Sequence, residues 1–253
     1  MPQVHAAFHH FKTAPAGRRE RKRLEEYADV VVVLPVKELK HTKSRLRAVL
    51  SPSERRRLTL TLLARTITTL KSAGVGLILV LSPDEQVLSL AKTLEVKSLK
   101  EKKRGLNRAL REATDWAADH RFAAILVLPS DLPFINQRDV RAILNMADGN
   151  RRIVVISPDR ERKGTNALLV KPPGLLRYCF GAESFQVHRR QALERNLKCR
   201  VYSSPSVAMD VDTPRMCRLL LKKGFYDDKD SWKENRIGPV DPHPRNPAHP
   251  TGR

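Results

Sequence analysis

Residues 30–46 read VVVVLPVKELKHTKSRL. Val30 to Leu34 form an unbroken apolar run rich in β-branched residues, with no polar alternation, which is the pattern of a strand buried on both faces. Pro35 lacks a backbone donor and closes the run. The segment after it brings Lys37, Lys43 and Arg45 into one loop at the carboxyl end of that strand. In open α/β sheets the ligand crevice lies beyond the carboxyl ends of the strands, so this loop is expected to face it. Backbone N–H groups around Leu34 and Pro35, with the two lysines and the arginine, are then suited to a triphosphate. An ordinary solvated basic loop has the same composition.

Outward from this stretch the same alternation recurs. Further strands are expected at Leu77–Leu81, Ala123–Leu128, Ile153–Ser157, Ala167–Val170 and Arg200–Ser203. Between them lie segments of helical period. Ser53 precedes a run in which Leu58, Leu62, Leu63, Ile67 and Leu70 share one face and which stops at Gly74. Pro83 and Asp84 open a second helix, and Leu106–Ala118, Gln137–Met146 and Ser184–Arg195 form three more. Thr213 and Pro214 start a last one as cap and first turn. Strands alternating with helices predict an α/β fold, a three-layer α/β/α sandwich around a mostly parallel mixed sheet. Residues 1–27 read as a basic flexible leader, 28–225 as the folded domain, and 226–253 as a Pro-rich flexible tail.

Composition removes several classes. No apolar stretch reaches the roughly 18 residues of a membrane-spanning helix, and the leader lacks the apolar core of a secretory signal, so no membrane partner and a cytoplasmic location are expected. The three cysteines, Cys179, Cys199 and Cys217, form no CxxC or Cys/His cluster and read as small buried residues of a reducing compartment. No GxxxxGK[ST] or GxGxxG is present, which excludes the P-loop and the dinucleotide fingerprint. The formal charge is +21, with six basic against three acidic residues in 1–27 and five against five in 226–253. That leaves 37 against 19 for residues 28–225, so the excess sits in the domain. A nucleic acid or a pair of phosphorylated small molecules would each suit such a field. With aromatics at 5% there are few stacking platforms, and nucleic acid is the disfavoured partner.

Four more segments carry candidate chemistry. AAILVLPSDLPFI places Ser130 and Asp131 directly after a buried strand, and VAMDVDTP places Asp210 and Asp212 two apart before a helix. If both reach one crevice, Asp131 and one of the later pair can hold Mg²⁺ through oxygen while nucleotide phosphates supply the other ligands. Each of these aspartates can equally cap a helix or close a turn. In KGTNALLVKPP and YCFGAESFQVH, Thr165 precedes a strand, while Gly181 and Ser184 precede a helix, so hydroxyls and backbone N–H groups can converge on a second anion. Ser184 is also a natural helix cap. GLNRAL offers Gly105 and Asn107, the latter as a reader of a base or ribose, or as a cap.

Taken in order, LPVKELKHTKSRL, GLNRAL, LPSDLP, GTNALL, FGAESF and DVDTP resemble the phosphoenolpyruvate or 2-phospho-L-lactate guanylyltransferases of coenzyme F-420 biosynthesis. The similarity spans about Val30 to Lys223, with GTNALL and FGAESF separating this branch from sugar-nucleotide and molybdopterin relatives. It implies the nucleotide-diphospho-sugar-transferase (MobA-like) type of fold and an enzyme that uses GTP, assisted by Mg²⁺, to guanylylate a small phosphorylated carboxylic acid. By that resemblance Thr165, Gly181 and Ser184 bind the phospho-acid, and Asp131 with Asp210 or Asp212 holds metal. Lys37, Lys43 and Asp131 are the expected catalytic group, and Leu34, Pro35, Lys37, Lys43, Arg45, Gly105, Asn107 and Ser130 the expected nucleotide contacts. A homodimer is compatible with the sequence, which carries no motif that decides it.

Overall fold

The computed structural model describes residues 27–101 and 105–222. The expected leader and tail fall outside them, apart from Tyr27, which already belongs to the first strand. Seven strands form one sheet: β1 (Tyr27–Pro35), β2 (Val75–Ser82), β3 (Lys97–Lys100), β4 (Ala124–Val127), β5 (Ile153–Pro158), β6 (Thr165–Lys171) and β7 (Lys198–Val201). Their spatial order is β3-β2-β1-β4-β6-β5-β7. All neighbours are parallel except β6, which runs antiparallel to both β4 and β5.

The helices are α1 (Pro52–Ala73), α2 (Glu85–Thr93), α3 (Leu106–Asp119), α4 (Gln137–Asn145), α5 (Ser184–Glu194), the short α6 (Pro205–Ala208) and α7 (Pro214–Lys222). Alternate residues of β1 divide between two cores. Val30, Val32 and Leu34 pack with Leu63, Ile67 and Leu70 of α1, Leu90 of α2 and Ile143 of α4. Val31 and Val33 pack with Leu110, Ala113 and Ala117 of α3 and Phe185 of α5. Two helical layers thus enclose one sheet, as the unbroken apolar runs require. Val31 to Leu34 are each fully buried, and such a Val or Leu side chain contributes about 1.5–3 kcal/mol relative to exposure.

A third, smaller core joins Leu46 and Leu50 to Leu58 and Leu62 of α1 and to Val211, Cys217 and Leu220. It locks the basic loop and the DVDTP segment onto the same helix. α1 starts at Pro52, one residue before the Ser53 that precedes its apolar run, and its cap is Ser51. Ser51 accepts from the Glu54 N–H while the Glu54 carboxylate accepts from the Ser51 N–H, with Pro52 in the first turn.

β6 brings its amino end to the sheet edge where the parallel strands finish. Leu168 lies opposite Val127, so Thr165, three residues earlier, falls near the level of Ser130 just past β4. A register irregularity between Ser157 and Pro158 accompanies this end of β6. There Asn166 turns toward α6, its Nδ2 donating to the Val207 carbonyl at 2.8 Å, while Thr165 turns toward α5.

Candidate active site

Beyond β1 the chain passes through two 3₁₀ turns, Leu39–His41 and Ser44–Leu46. Asp84, the cap of α2, holds this loop: its carboxylate accepts from the Leu39 N–H at 2.9 Å and from the Gln86 N–H at 3.0 Å. The Thr42 and Thr59 hydroxyls pair at 3.0 Å, and Arg55 donates to the Leu50 carbonyl at 2.9 Å. Lys43 sits between the turns in the left-handed region, with φ at 50°, a conformation unusual for a residue with a Cβ.

That backbone turn aims the Lys43 ammonium inward. Its Nζ donates to Asp131 Oδ2 at 2.7 Å and approaches Asp212 Oδ1 at 3.4 Å, with the Lys43 side chain only 5% exposed. Burial alone would lower the pKa of this amine. The facing Asp131 and Asp212 carboxylates outweigh it, and Lys43 is held above the ordinary lysine value. Arg45, exposed, lies 3.6 Å from the second Asp212 oxygen. The Val211 N–H donates to the Asp131 carbonyl at 3.2 Å, which ties the two aspartate segments together through backbone. Asp210, desolvated and facing the negative charges of Asp131 and Asp212, is pushed up to about 6, with Lys43 pulling the other way. Three motifs separated by up to 169 residues therefore meet at one cation.

A cleft of about 900 Å³ opens beside this cluster. Arg45, Asp210 and Asp212 line it together with Arg160, Arg215 and Arg218. Among the described residues no group of three His, Cys, Asp or Glu side chains is arranged to enclose a metal by itself. The carboxylates fit a divalent ion only as a partial shell. Mg²⁺ characteristically takes one or two carboxylates and completes its octahedron with phosphate oxygens and water.

The second expected cluster is also assembled. Ser184 and Thr165 are buried, and His188, one helical turn after Ser184 on α5, is hydrogen-bonded to Thr165 Oγ1 through Nδ1 at 3.1 Å. Ser184 is not a cap; it is the first residue of α5, and the capping position is Glu183, which makes no side-chain cap. The preceding Gly181 has φ at 142°, a conformation that favours glycine, and nothing lies within 4 Å of where a Cβ would project. Among the described residues no hydrogen bond or ion pair joins this cluster to the Lys43 centre. It lies on the α5 side of the sheet edge, whereas Lys43 and Asp131 lie toward α1.

Other expected contacts have different surroundings. The Leu34 side chain is fully buried in the core, so this residue can offer a ligand backbone at most. Pro35 ends β1 half-buried and Lys37 is exposed just beyond it. Ser130 is buried, and its carbonyl receives the Thr66 hydroxyl at 3.4 Å. Gly105 caps α3 with φ at 129°. Asn107 is neither a cap nor a free reader. Its Oδ1 accepts from the Phe180 N–H at 2.8 Å and its Nδ2 donates to the Phe180 carbonyl at 3.2 Å, so it braces the loop that carries Gly181. Sequence reasoning missed His188, the hold of Asp84 on the loop and the bracing role of Asn107.

Residues 30–229 match the family described as guanylyl transferase CofC like. The chain is 48% identical over 185 residues to a phosphoenolpyruvate guanylyltransferase of Rubrobacter xylanophilus, covering 73% of this chain and 90% of that protein. It is 40% identical over 183 residues to a 2-phospho-L-lactate guanylyltransferase of Methanothermobacter thermautotrophicus, covering 72% and 79%. A putative nucleotide-diphospho-sugar transferase from Desulfovibrio desulfuricans shares the fold, with a TM-score of 0.65 at 16% identity over 81% of this chain and 90% of that one. With the sheet order, the convergent aspartates and these matches together, the chain belongs to the CofC-like guanylyl transferase family.

Proposed function

We propose that this protein transfers GMP from GTP to phosphoenolpyruvate or 2-phospho-L-lactate and releases pyrophosphate, the guanylylation step of coenzyme F-420 biosynthesis. The observation that carries this reading is the contact of Lys43 with Asp131 and Asp212, at 2.7 and 3.4 Å, beside the cleft and on the same sheet edge as Thr165. An oxygen of the acceptor phosphate attacks the α-phosphorus of GTP in line. A new P–O bond forms there, the bond from the α-phosphorus to the bridging oxygen breaks, and its electrons leave with pyrophosphate. The attacking phosphate is already ionised near neutral pH, so the protein supplies positioning and charge neutralisation rather than a general base.

Within this reading the loop cations Lys37, Lys43 and Arg45 neutralise the triphosphate. Asp131, with Asp210 or Asp212, would hold Mg²⁺ jointly with the nucleotide. Bound there, the ion would withdraw charge from the phosphoryl oxygens as a Lewis acid. Thr165, Ser184 and the α5 amino terminus take the acceptor phosphate, with Gly181 allowing close backbone approach. Asp131→Asn tests the reading at its centre: pyrophosphate release should fall at least about 100-fold with an unchanged circular dichroism spectrum. An undiminished Mg²⁺-dependent rate would reject the metal-holding role.

A further inference from the structure

We propose that His188 is a positioning residue that fixes the hydrogen-bond polarity of Thr165, so that the Thr165 hydroxyl donates its proton into the acceptor site. The proposal rests on the reading of Thr165 and Ser184 as the phospho-acid site, and it adds a residue that this reading does not contain. The Cys179 backbone N–H, which can only donate, points at His188 Nε2 from 3.0 Å. Nε2 must therefore present its lone pair. In a neutral ring the proton then resides on Nδ1, and Nδ1 donates to Thr165 Oγ1 at 3.1 Å. Thr165 has its oxygen engaged as acceptor, and its own proton is turned away from the ring. For a site that must hold a phosphate, this is the required polarity, because a hydroxyl presenting only lone pairs would repel the anion.

The surroundings keep the ring in that state. His188 is fully buried, with the edge of Phe180 packed against it at a centroid distance of 5.2 Å. Burial pushes its pKa down to about 4, so it stays neutral through the physiological range. The loop that donates to Nε2 is itself braced by Asn107, which holds both backbone polar atoms of Phe180. One buried ring therefore sets the polarity of Thr165 and the position of the loop leading to Gly181.

Two variants separate polarity from packing. An Asn side chain reaches about as far as Nδ1 and can still donate to Thr165. A Gln side chain reaches about as far as Nε2, keeps the Cys179 bond and leaves Thr165 without its fixed donor. His188→Gln should raise the KM for the phospho-acid about tenfold while leaving the KM for GTP within about twofold, and His188→Asn should stay within about threefold for both. Thr165→Val should raise the phospho-acid KM as His188→Gln does, and the double variant should add little to either. Equal shifts in Asn and Gln variants, or parallel loss for both substrates, would overturn the positioning role. Independently of turnover, ¹⁵N NMR of the free protein should show His188 as the neutral Nδ1–H tautomer at pH 7; an Nε2–H tautomer or a charged ring would also overturn it. A wild-type protein that shows this tautomer yet turns over no phospho-acid would instead sink the functional reading.

Discussion

Lys43 is the residue on which the candidate centre turns, since its buried ammonium is shared by carboxylates from two distant segments. Lys43→Ala removes the cation and leaves those carboxylates facing one another, so kcat/KM for GTP should fall about 100-fold or more, and further at low ionic strength where unscreened repulsion grows. An effect that shrinks as salt is removed would contradict that account. On the other side of the edge, the proposed acceptor site predicts that Thr165→Ala and Ser184→Ala each raise the KM for the phospho-acid about tenfold with little change for GTP, since each would delete one hydrogen bond to the anion. His188 gives a stability prediction. Its folded pKa of about 4 lies below the ordinary 6.5. The unfolded chain therefore takes up a proton first as pH falls. The contribution is complete above about pH 6.5 and is lost between there and pH 4, on the order of 3 kcal/mol. Urea midpoints measured across that range should show the loss in the wild type and a flatter profile in His188→Gln. Lys43 and Asp131 were legible as candidates because each follows the carboxyl end of a buried strand, and Thr165 because it stands beside a glycine in the GTNALL segment. The histidine was not, because a single His on a helix face reads as core until its partners are known.

At the scale of elements, the buried strands and long helices declared themselves, and the short or directional features did not. β3 reads KSLK, with Leu99 its single apolar residue, at the sheet edge with only β2 as neighbour, so it lacks the continuous apolar signature of the others. The four residues of α6 are too few to show a helical period. The reversed direction of β6 is also invisible in a sequence, since an apolar run reads alike either way. That reversal is what brings Thr165 to the carboxyl edge. The cap of α1 is Ser51, two residues before the Ser53 that precedes the apolar run, and Pro52 and Glu54 complete the motif. Ser51→Ala should cost about 1 kcal/mol in a denaturant titration without altering turnover, since it touches no part of the site. Asp84→Ala should behave differently. It frees the Leu39 and Gln86 N–H groups together, loosening the loop that aims Lys43, and should cost about 1–3 kcal/mol while also raising the KM for GTP.

Across the whole molecule, the +18 charge of residues 28–225 is consistent with an enzyme that must bring two multiply charged anions together. Among the described residues no helix is long and apolar enough to cross a membrane. The charge total could not choose between nucleic acid and small phosphorylated partners; the convergence of Lys43, Asp131 and Asp212 beside a cleft favours the latter. The most direct test follows the α-phosphorus. With GTP labelled at that atom, Mg²⁺ and either phosphoenolpyruvate or 2-phospho-L-lactate, the label should appear in a product whose mass equals the phospho-acid joined to GMP, with unlabelled pyrophosphate released in equal amount. Label found only in GTP and its hydrolysis products, whichever acid is supplied, would contradict guanylyl transfer.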